Sequence, residues 1–354
     1  MRSKARYGKI RSICFTILVA VVISQSLENS AAEISDHWRR LSDLPDKIGV
    51  AGAFAGVSGG TLIVAGGANF PDAPPWEGGK KVWYDTIWAL ENPDGEWREA
   101  GRLPRPSGYG VFVSYPACLI CLGGGDADRN HADVFTITLQ NGKAVMAPMP
   151  SLPAPAANSC CAVVNRRIYI AGGIESPTST AALSTFLVVS PFGEKAKWQE
   201  LSTWPGPARQ LAIAGSCNGF FYLFGGTSLE PGADGKAVRR YLRDAFAYHP
   251  DRGWKRIADL PFPLAASPSP AVSVDGKMII FGGDDAPSAD PKTHRGFRDE
   301  ILEYDPGANT WRIIGRMPAP RATAPVVCWN GGYVIVSGEV RPGVRSREVW
   351  MWTP

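Results

Sequence analysis

The chain has 354 residues, of which 39 are Gly and 30 are Pro, a combined share far above the roughly 12% of an average protein. Only 20% of the residues are charged and 45% are hydrophobic. This excludes a disordered or coiled-coil protein, because the chain has ample apolar surface to bury. Since so many Gly and Pro residues would interrupt helices repeatedly, the composition favours a turn-rich, all-β globular protein.

The first 32 residues are predicted to be a cleavable signal peptide. Five Arg or Lys residues precede an apolar run from Ile13 to Ile23, and small residues from Ser30 to Ala32 follow as a cleavage site. The apolar run is shorter than the about 20 residues that a membrane-spanning helix needs. We therefore expect an exported protein, periplasmic or secreted, with an uncleaved membrane anchor as the alternative.

The charge balance changes once the predicted signal is removed. The whole chain has 37 basic and 33 acidic residues, and residues 1–32 hold five of the basic and one of the acidic ones, which leaves 32 of each. A neutral mature protein gives no reason to expect nucleic acid or a membrane as a partner. The remaining cysteines lie in or beside strand-like apolar runs, and we expect them to be buried free thiols. They are Cys118, Cys121, Cys160, Cys161, Cys217 and Cys328.

The rest of the chain is built from six repeats. Each repeat has an apolar run that ends in a pair of small residues, Gly-Gly in five repeats and Ser-Gly in the last. These runs are 62–67, 119–124, 168–173, 221–226, 278–283 and 333–338. A period of about 50 residues with a diglycine is typical of the kelch type of propeller blade. The sequence therefore predicts one domain, residues 33–354, that folds as a six-bladed β-propeller.

Two further markers run in phase with the glycine pairs. A tryptophan precedes a proline by seven residues in five repeats, at Trp38, Trp97, Trp198, Trp254 and Trp311, and Met146 takes its place in the sixth. A third apolar run lies between the glycine pair and this unit, so each repeat offers four strands, a to d. The last repeat lacks a strand d, whereas an unclaimed one surrounds Trp38. Pairing that strand with the last strand c would close the ring and remove its open edges.

The expected site lies on the face where long polar loops converge. Because adjacent strands of a blade are antiparallel, the b–c loops and the d–a connections open on one face of the ring. Long loops on a rigid scaffold commonly carry function. The arginines and carboxylates of these loops suit a small-molecule sugar acid, whose carboxylate arginine can bind through two hydrogen bonds. The candidate substrate-binding residues are Asn69, Lys80, Lys81, Arg209, Arg321 and Arg341.

Several of these candidates have a purely structural interpretation as well. Arg105, Arg209 and Arg321 each follow the Trp-Pro unit and could hydrogen-bond neighbouring carbonyls as residues typical of the repeat. Lys80 and Lys81 belong to an aromatic and basic loop that could fold over a sugar or pack on its own blade.

The sixth repeat is the one that carries candidate chemistry. Ser337-Gly338-Glu339 stands where the other repeats have Gly-Gly, and Arg341 and Arg345 follow. A carboxylate directly after strand b is expected at the mouth of the central channel. Flanked by arginines, it should stay ionised and positioned, as a general base requires. The alternative is a surface ion pair at the edge of a blade.

Two stretches resemble the N-acetylneuraminate epimerase (sialic acid mutarotase) family of exported kelch propellers. They are 50–81, with Ala65-Gly66-Gly67-Ala68-Asn69-Phe70, and the Ser337 to Arg345 segment, which is similar to that family's Gly-Glu-x-(Lys/Arg)-Pro-Gly-x-Arg motif. Because this motif lies near the C-terminus here and mid-chain in the bacterial epimerase, the chain is similar to the cyclically permuted branch. The family's Gly-Arg-Ala-Tyr-Gly segment reads Ser107-Gly108-Tyr109-Gly110 after Pro106, without its arginine.

The resemblance implies an isomerase that interconverts the α and β anomers of N-acetylneuraminate or a related sugar acid, without a cofactor. It also implies that Glu339 is the proton acceptor and Arg345 a catalytic residue that contacts the substrate. A non-catalytic kelch module that binds carbohydrate or protein is the main alternative. A copper oxidase on a kelch scaffold is a weaker one, because the four His residues fall in different repeats and no metal site is expected.

Overall fold

The computed structural model describes residues 37–115, 117–192, 196–285 and 293–354. The predicted signal peptide lies outside these residues. Within them, the main strands form six four-stranded antiparallel sheets, and these are the blades of the predicted propeller. None of the helices in the described ranges has the length and apolar character needed to cross a membrane.

The first three blades follow the predicted order of strands a, b, c and d. Blade 1 contains Phe54–Ser58, Thr61–Ala65, Thr86–Leu90 and Arg98–Arg102. Blade 2 contains Val111–Tyr115, Cys118–Leu122, Val134–Gln140 and Lys143–Met149. Blade 3 contains Cys160–Val164, Arg167–Ala171, Phe186–Val189 and Gln199–Glu200.

The other three blades repeat this order. Blade 4 contains Ile213–Cys217, Phe220–Phe224, Ala245–His249 and Gly253–Ile257. Blade 5 contains Val272–Val274, Lys277–Gly283, Arg298–Asp305 and Thr310–Arg316. Blade 6 contains Val326–Trp329, Gly332–Val336, Val349–Trp352 and, as its outer strand, Trp38–Leu41.

Three of the b–c loops contain short elements of secondary structure. Each of these loops folds into a short antiparallel hairpin, and the loop of blade 1 also holds a 3-10 turn, Pro75–Glu77. The hairpins are Ala68–Asn69 with Val82–Trp83 in blade 1, Thr227–Pro231 with Ala237–Tyr241 in blade 4, and Glu339–Arg341 with Val344–Arg345 in blade 6.

The ring closes as the strand count predicts. Trp38–Leu41 pairs antiparallel with Val349–Trp352, so that Trp38 faces Trp352 and Leu41 faces Val349. This pairing supplies blade 6 with the strand d that its own end lacks, and it confirms the six-bladed propeller. Closure also stabilises the fold, because it pairs the backbone groups along the outer edge of strand c in blade 6.

The hydrophobic core is divided among the interfaces between blades. The described residues form six buried clusters, and each cluster joins side chains of two neighbouring blades. The five marker tryptophans lie at or just before strand d and reach across an interface. Each indole N–H donates to a backbone carbonyl at the end of the preceding blade's strand d: Trp97 to Ser42, Trp198 to Pro150, Trp254 to Ser202, Trp311 to Ala258 and Trp38 to Arg316.

A ring of six backbone hydrogen bonds surrounds the axis. In each blade, one backbone residue of the connection that leads into strand a accepts from the next blade and donates to the previous one, at N···O distances of 2.7–2.8 Å. All six have a positive φ, although only the first is glycine. They are Gly52, Tyr109, Asn158, Leu211, Ala266 and Thr323. Five L-residues in this strained conformation each cost about 1–3 kcal/mol, a cost that the closed ring of hydrogen bonds helps to offset.

The glycine pairs are needed for close packing between blades. The first glycine has φ between 46° and 67°, and an added Cβ at Gly66 would lie 2.3 Å from the carbonyl oxygen of Ser107 in the next connection. Ser337 takes this place in blade 6, with φ 57°. Its hydroxyl accepts from the Val50 N–H at 2.8 Å and lies 2.7 Å from the Ser346 carbonyl, so the side chain is part of the packing.

The six described cysteines are free. Five of them are buried, as expected, and burial raises the pKa of the Cys118, Cys121, Cys160 and Cys161 thiols. The expectation of burial is wrong for Cys328, which is exposed. Cys328 lies in strand a of blade 6, where its neighbours Val327 and Trp329 take the buried positions.

Candidate functional site

A cavity of about 980 Å³ opens on the face that carries the b–c loops and the d–a connections. Residues of all six blades line it, which agrees with the parity argument that both kinds of connection share one face. The axial ring forms its floor, and a narrower space of about 80 Å³ lies on the axis against the same ring residues. The polar lining of the large cavity includes Lys81, Tyr109, Asp126, Asn130, Arg239, Tyr241, Asp284, His294 and Glu339.

Glu339 lies in the wall of this cavity. Its backbone bridges to Ala322 through two N–H···O bonds of 2.9 Å, which fixes the start of the blade 6 hairpin. Its carboxylate accepts from the Thr323 hydroxyl at 3.3 Å and from the Gly343 N–H at 3.2 Å. With 14% of the side chain exposed, the carboxylate is held in place yet remains accessible from the cavity.

Arg345 is the cation that faces Glu339. Its Nη1 lies 3.2 Å from Glu339 Oε2, and only 1% of its side chain is exposed. Its Nε donates to the Ala68 carbonyl at 3.3 Å and its Nη2 to the Tyr109 hydroxyl at 3.2 Å, while the Phe70 ring lies 5.0 Å from its Cζ. Nη1 lacks hydrogen-bond geometry towards any described atom, so this buried nitrogen contacts Glu339 through charge alone.

Lys81 brings a second positive charge to the same side of the cavity. Its Nζ lies 4.8 Å from the centre of the Tyr109 ring, 5.5 Å from that of Trp83 and 5.7 Å from that of Phe70. These aromatic faces attract the ammonium group but do not neutralise it. Within the described part of the chain, Lys81 forms no ion pair. Lys81 and Arg345 thus share Tyr109 and Phe70, with Glu339 as the nearby carboxylate.

Three predicted binding residues lie away from the cavity lining. Arg209 is fully buried and binds both oxygens of Asp244, at 2.9 and 2.8 Å. Arg321 donates to Glu348 at 2.5 Å, and burial lowers the pKa of its guanidinium. Asn69 donates to Asp46 and to the Gly49 carbonyl and accepts from the Tyr84 hydroxyl. Their polar groups are used inside the blades, in line with the structural interpretation of the two arginines.

Lys80 and Arg341 also lie outside the lining. Lys80 is exposed, although it is the direct neighbour of Lys81. Arg341 is exposed, and its Cζ lies 5.7 Å from the centre of the Trp76 ring. Of the eight predicted site residues, the structure therefore brings Glu339, Arg345 and Lys81 together.

The sequence reasoning missed two features of the cavity. Tyr109 belongs to the axial ring and bonds Arg345, and nothing in the repeat pattern distinguishes its position as polar. Asp284 is the first residue after the glycine pair of blade 5, the position that Glu339 holds in blade 6, as the bridges Ala265–Asp284 and Ala322–Glu339 show. Comparing this position across the repeats would have found Asp284.

Asp284 is the centre of a small hydrogen-bonded network. It accepts from the Tyr241 hydroxyl at 2.5 Å, and its other oxygen lies 3.1 Å from Nε2 of His294. Nδ1 of His294 accepts from the Gly296 N–H at 3.0 Å, so the ring proton is on Nε2 and points to Asp284. Among the described residues, no three His, Cys, Asp or Glu side chains converge as metal ligands.

Comparisons with known proteins agree with this architecture. The N-acetylneuraminate epimerase family model matches residues 23–147, and a kelch motif matches residues 265–318. N-acetylneuraminate epimerase of Brucella suis is 37% identical over 124 residues, 31% of this chain and 31% of that protein. The enzyme of the same name from Haemophilus influenzae is 26% identical over 227 residues, 56% of this chain and 57% of that protein. The chain thus spans about a third of the first relative and somewhat over half of the second.

A solved structure has the same fold. The structure of YjhT matches 89% of this chain and 97% of its own, with a TM-score of 0.66 and 16% sequence identity. The family match covers Lys81 and Tyr109, whereas Glu339 and Arg345 lie beyond it. The described chain is a kelch-type propeller, and it is similar to the N-acetylneuraminate epimerase family in the segment that leads into and forms its first two blades.

Proposed function

We propose that this protein interconverts the α and β anomers of N-acetylneuraminate or a related sugar acid in the cavity on the b–c face. One observation carries the proposal: Glu339, in the lining of the large cavity, forms an ion pair at 3.2 Å with the buried Arg345, and both belong to the mutarotase-like motif. The similarity to N-acetylneuraminate epimerases supports the same substrate class.

Glu339 is the base of the proposed reaction. Its carboxylate accepts the proton of the anomeric hydroxyl as the bond between the anomeric carbon and the ring oxygen breaks, which gives the open-chain keto form. The adjacent C–C bond turns, and the ring closes on the other face of the carbonyl. The hydrogen bonds from Thr323 and Gly343 hold the carboxylate in one orientation during these steps.

Lys81 is the proposed binding partner of the substrate carboxylate, because it lines the cavity and forms no ion pair with any described residue. Arg345 lies outside the lining with a buried Nη1, so its proposed role is to hold Glu339 and Tyr109 through its contacts with both. Since Glu339 is paired with Arg345, the charge of Lys81 is left for an anionic ligand. This role replaces Arg321, whose guanidinium is bound to Glu348.

Proton NMR of freshly dissolved N-acetylneuraminate tests the proposal. The signals of the two anomers approach equilibrium at a measurable rate, and we expect catalytic amounts of the folded protein to raise that rate. An unchanged rate, with folding verified by circular dichroism, would contradict the proposal. Sugar binding without faster exchange would instead favour the non-catalytic carbohydrate-binding module.

We also propose that the protein is exported to the periplasm or secreted. The basic, apolar and small-residue segments of residues 1–32 support this localisation. Expression of the full chain in a Gram-negative host, followed by fractionation and N-terminal sequencing, should yield exported protein that begins at or near Glu33. Recovery of the uncleaved chain from the membrane fraction would contradict it.

A further inference from the structure

The exchange of anomers needs an acid as well as a base, because the ring oxygen must gain a proton when its bond to the anomeric carbon breaks. Two phenols line the described cavity beside charged groups, Tyr109 and Tyr241. A general acid must hold a proton that is free to move to the substrate. The hydrogen bonds of the two phenols show which of them holds a proton that is free to move.

The proton of Tyr109 is available. Its oxygen accepts a hydrogen bond from Arg345 Nη2 at 3.2 Å, and no acceptor for its own O–H is found among the residues that the structure describes. By contrast, Tyr241 donates its proton to Asp284 at 2.5 Å. Burial, and then the charge of Asp284, raise the pKa of Tyr241, which keeps that proton in place.

We propose that Tyr109 is the general acid that protonates the ring oxygen, an inference that rests on the proposed anomer exchange. Arg345 joins it to the base, since one guanidinium contacts Glu339 through Nη1 and Tyr109 through Nη2. These two nitrogens are bonded to one carbon, as the anomeric hydroxyl and the ring oxygen are bonded to one carbon. Base and acid thus both contact one guanidinium, which places them side by side in the cavity lining, as a base and an acid that act on two oxygens of one carbon must be.

The proton transfers balance over one cycle. On opening, Glu339 takes the proton of the anomeric hydroxyl, the carbonyl forms, the ring C–O bond breaks and Tyr109 gives its proton to the departing oxygen. After rotation, that hydroxyl oxygen attacks the other face of the carbonyl and returns its proton to Tyr109. Glu339 returns its proton to the carbonyl oxygen, so both side chains end as they began.

The surroundings of Tyr109 suit the phenolate that exists between these two transfers. Arg345 hydrogen-bonds the oxygen, and the Lys81 ammonium lies 4.8 Å from the ring centre, so two positive charges stabilise the transient negative one. The backbone is fixed as well. Tyr109 has φ 60° in the axial ring, donates to the Gly52 carbonyl at 2.7 Å and accepts from the Asn158 N–H at 2.8 Å. A catalytic group needs a backbone that is fixed in this way to keep a defined position.

The test compares Tyr109→Phe with the wild-type protein, with Tyr115→Phe as a control outside the cavity lining, and with Tyr241→Phe as the variant of the other cavity phenol. We expect anomer exchange in Tyr109→Phe to fall about 100-fold or more, the usual range for a lost general acid, while calorimetric binding of N-acetylneuraminate changes less than about threefold. Tyr115→Phe, which loses a hydrogen bond to the Arg166 carbonyl at the far end of strand a, should exchange as the wild type does. Fluorotyrosines at position 109 should change the exchange rate in step with phenol acidity, which a structural role would not do.

Each other outcome overturns a distinct part of the account. If wild-type protein accelerates exchange and Tyr109→Phe does so equally, Tyr109 is not the acid, although the proposed function stands. If Tyr241→Phe alone loses exchange, the acid is Tyr241. A Tyr109→Phe variant that loses binding and exchange together assigns Tyr109 to binding. If the folded wild type leaves exchange unchanged, the proposed function and this inference both fall.

Discussion

Arg345 and Glu339 face each other as register partners in a two-stranded hairpin, with Nη1 and Oε2 3.2 Å apart. The turn between them contains Pro342 and Gly343, and Gly343 has φ 78°. An added Cβ at Gly343 would lie 2.7 Å from Pro75, so the loop of blade 1 packs directly on this turn. The six-residue spacing of the motif thus follows from the hairpin that brings its two charged ends together.

Lys81 and its neighbour Lys80 allow a comparison between a positive charge in the cavity and one on the surface. We expect Lys81→Gln to weaken binding of N-acetylneuraminate at least about tenfold, since an interaction with a charged group contributes about 1.5–3 kcal/mol. Lys80→Gln removes the same charge from an exposed position outside the lining and should bind as the wild type does. Calorimetric titration of both variants measures this, and equal losses in the two would show that only overall charge matters.

Arg209 should prove to be a stability residue. Arg209→Met leaves Asp244 without its buried partner, and we expect the free energy of unfolding to fall by about 3–5 kcal/mol. Arg105→Met is the matched control, because Arg105 forms the same repeat contact with Asp133, but with 42% and 47% of the two side chains exposed. It should cost less than about 1 kcal/mol. Denaturant titrations measure both losses, and similar values would contradict this assignment.

Gly66, the first glycine of the pair in blade 1, can be compared in the same way with Gly60 in the turn between strands a and b. Gly66 and Gly60 both have positive φ, at 67° and 84°, but an added Cβ meets the Ser107 carbonyl oxygen at 2.3 Å only at Gly66 and has open space at Gly60. Gly60→Ala should cost about 1 kcal/mol of stability from backbone strain alone. Gly66→Ala should cost roughly 1–3 kcal/mol more, because the blades must move apart. Thermal and denaturant unfolding of the pair would reveal equal losses if the close approach were unimportant.

Acid stability should depend on Glu348. Burial acts to raise the pKa of this carboxyl, but hydrogen bonds from Arg321 and Trp350 and the charges of Arg321 and Arg40 outweigh it, so the pKa is lowered from 4.5. The folded state therefore gains stability from Glu348 above pH 4.5 and loses it as pH falls through the lower folded value. Below pH 4.5, the melting temperature of Glu348→Gln should fall less steeply than that of the wild type. Parallel curves would show that this pair does not govern acid stability.

The fold could be predicted because every repeat carries the same physical requirements. The glycine pair and the tryptophan each recur in five of the six repeats and the apolar run of strand c in all six, and Trp38 completes the blade that contains Trp352. Burial in the interfaces between blades imposes these requirements six times. Agreement among the six copies makes the pattern readable without any contact information.

The site could be predicted only in part. Glu339 departs from a repeat pattern and was found on that ground, whereas Arg209 and Arg321 follow the pattern and are structural. Arg209 and Arg321 are held in their blades by an acid before strand c, Asp244 or Glu348, which lies 35 or 27 residues further along the chain. Tyr109 reaches Arg345 across 236 residues through ring closure, a distance that local patterns do not encode.

The exchange rate of Glu339→Gln tests the central claim most directly. Glutamine keeps the size of the side chain, and its one oxygen can keep the hydrogen bond from the Gly343 N–H while its amide group donates to the Thr323 hydroxyl oxygen. It cannot take a proton at neutral pH. Glu230→Gln, in the exposed hairpin of blade 4, is the matched control. Proton NMR of freshly dissolved N-acetylneuraminate should show wild-type exchange with the control and a loss of about 100-fold or more with Glu339→Gln. Wild-type exchange by a folded Glu339→Gln variant would contradict the account.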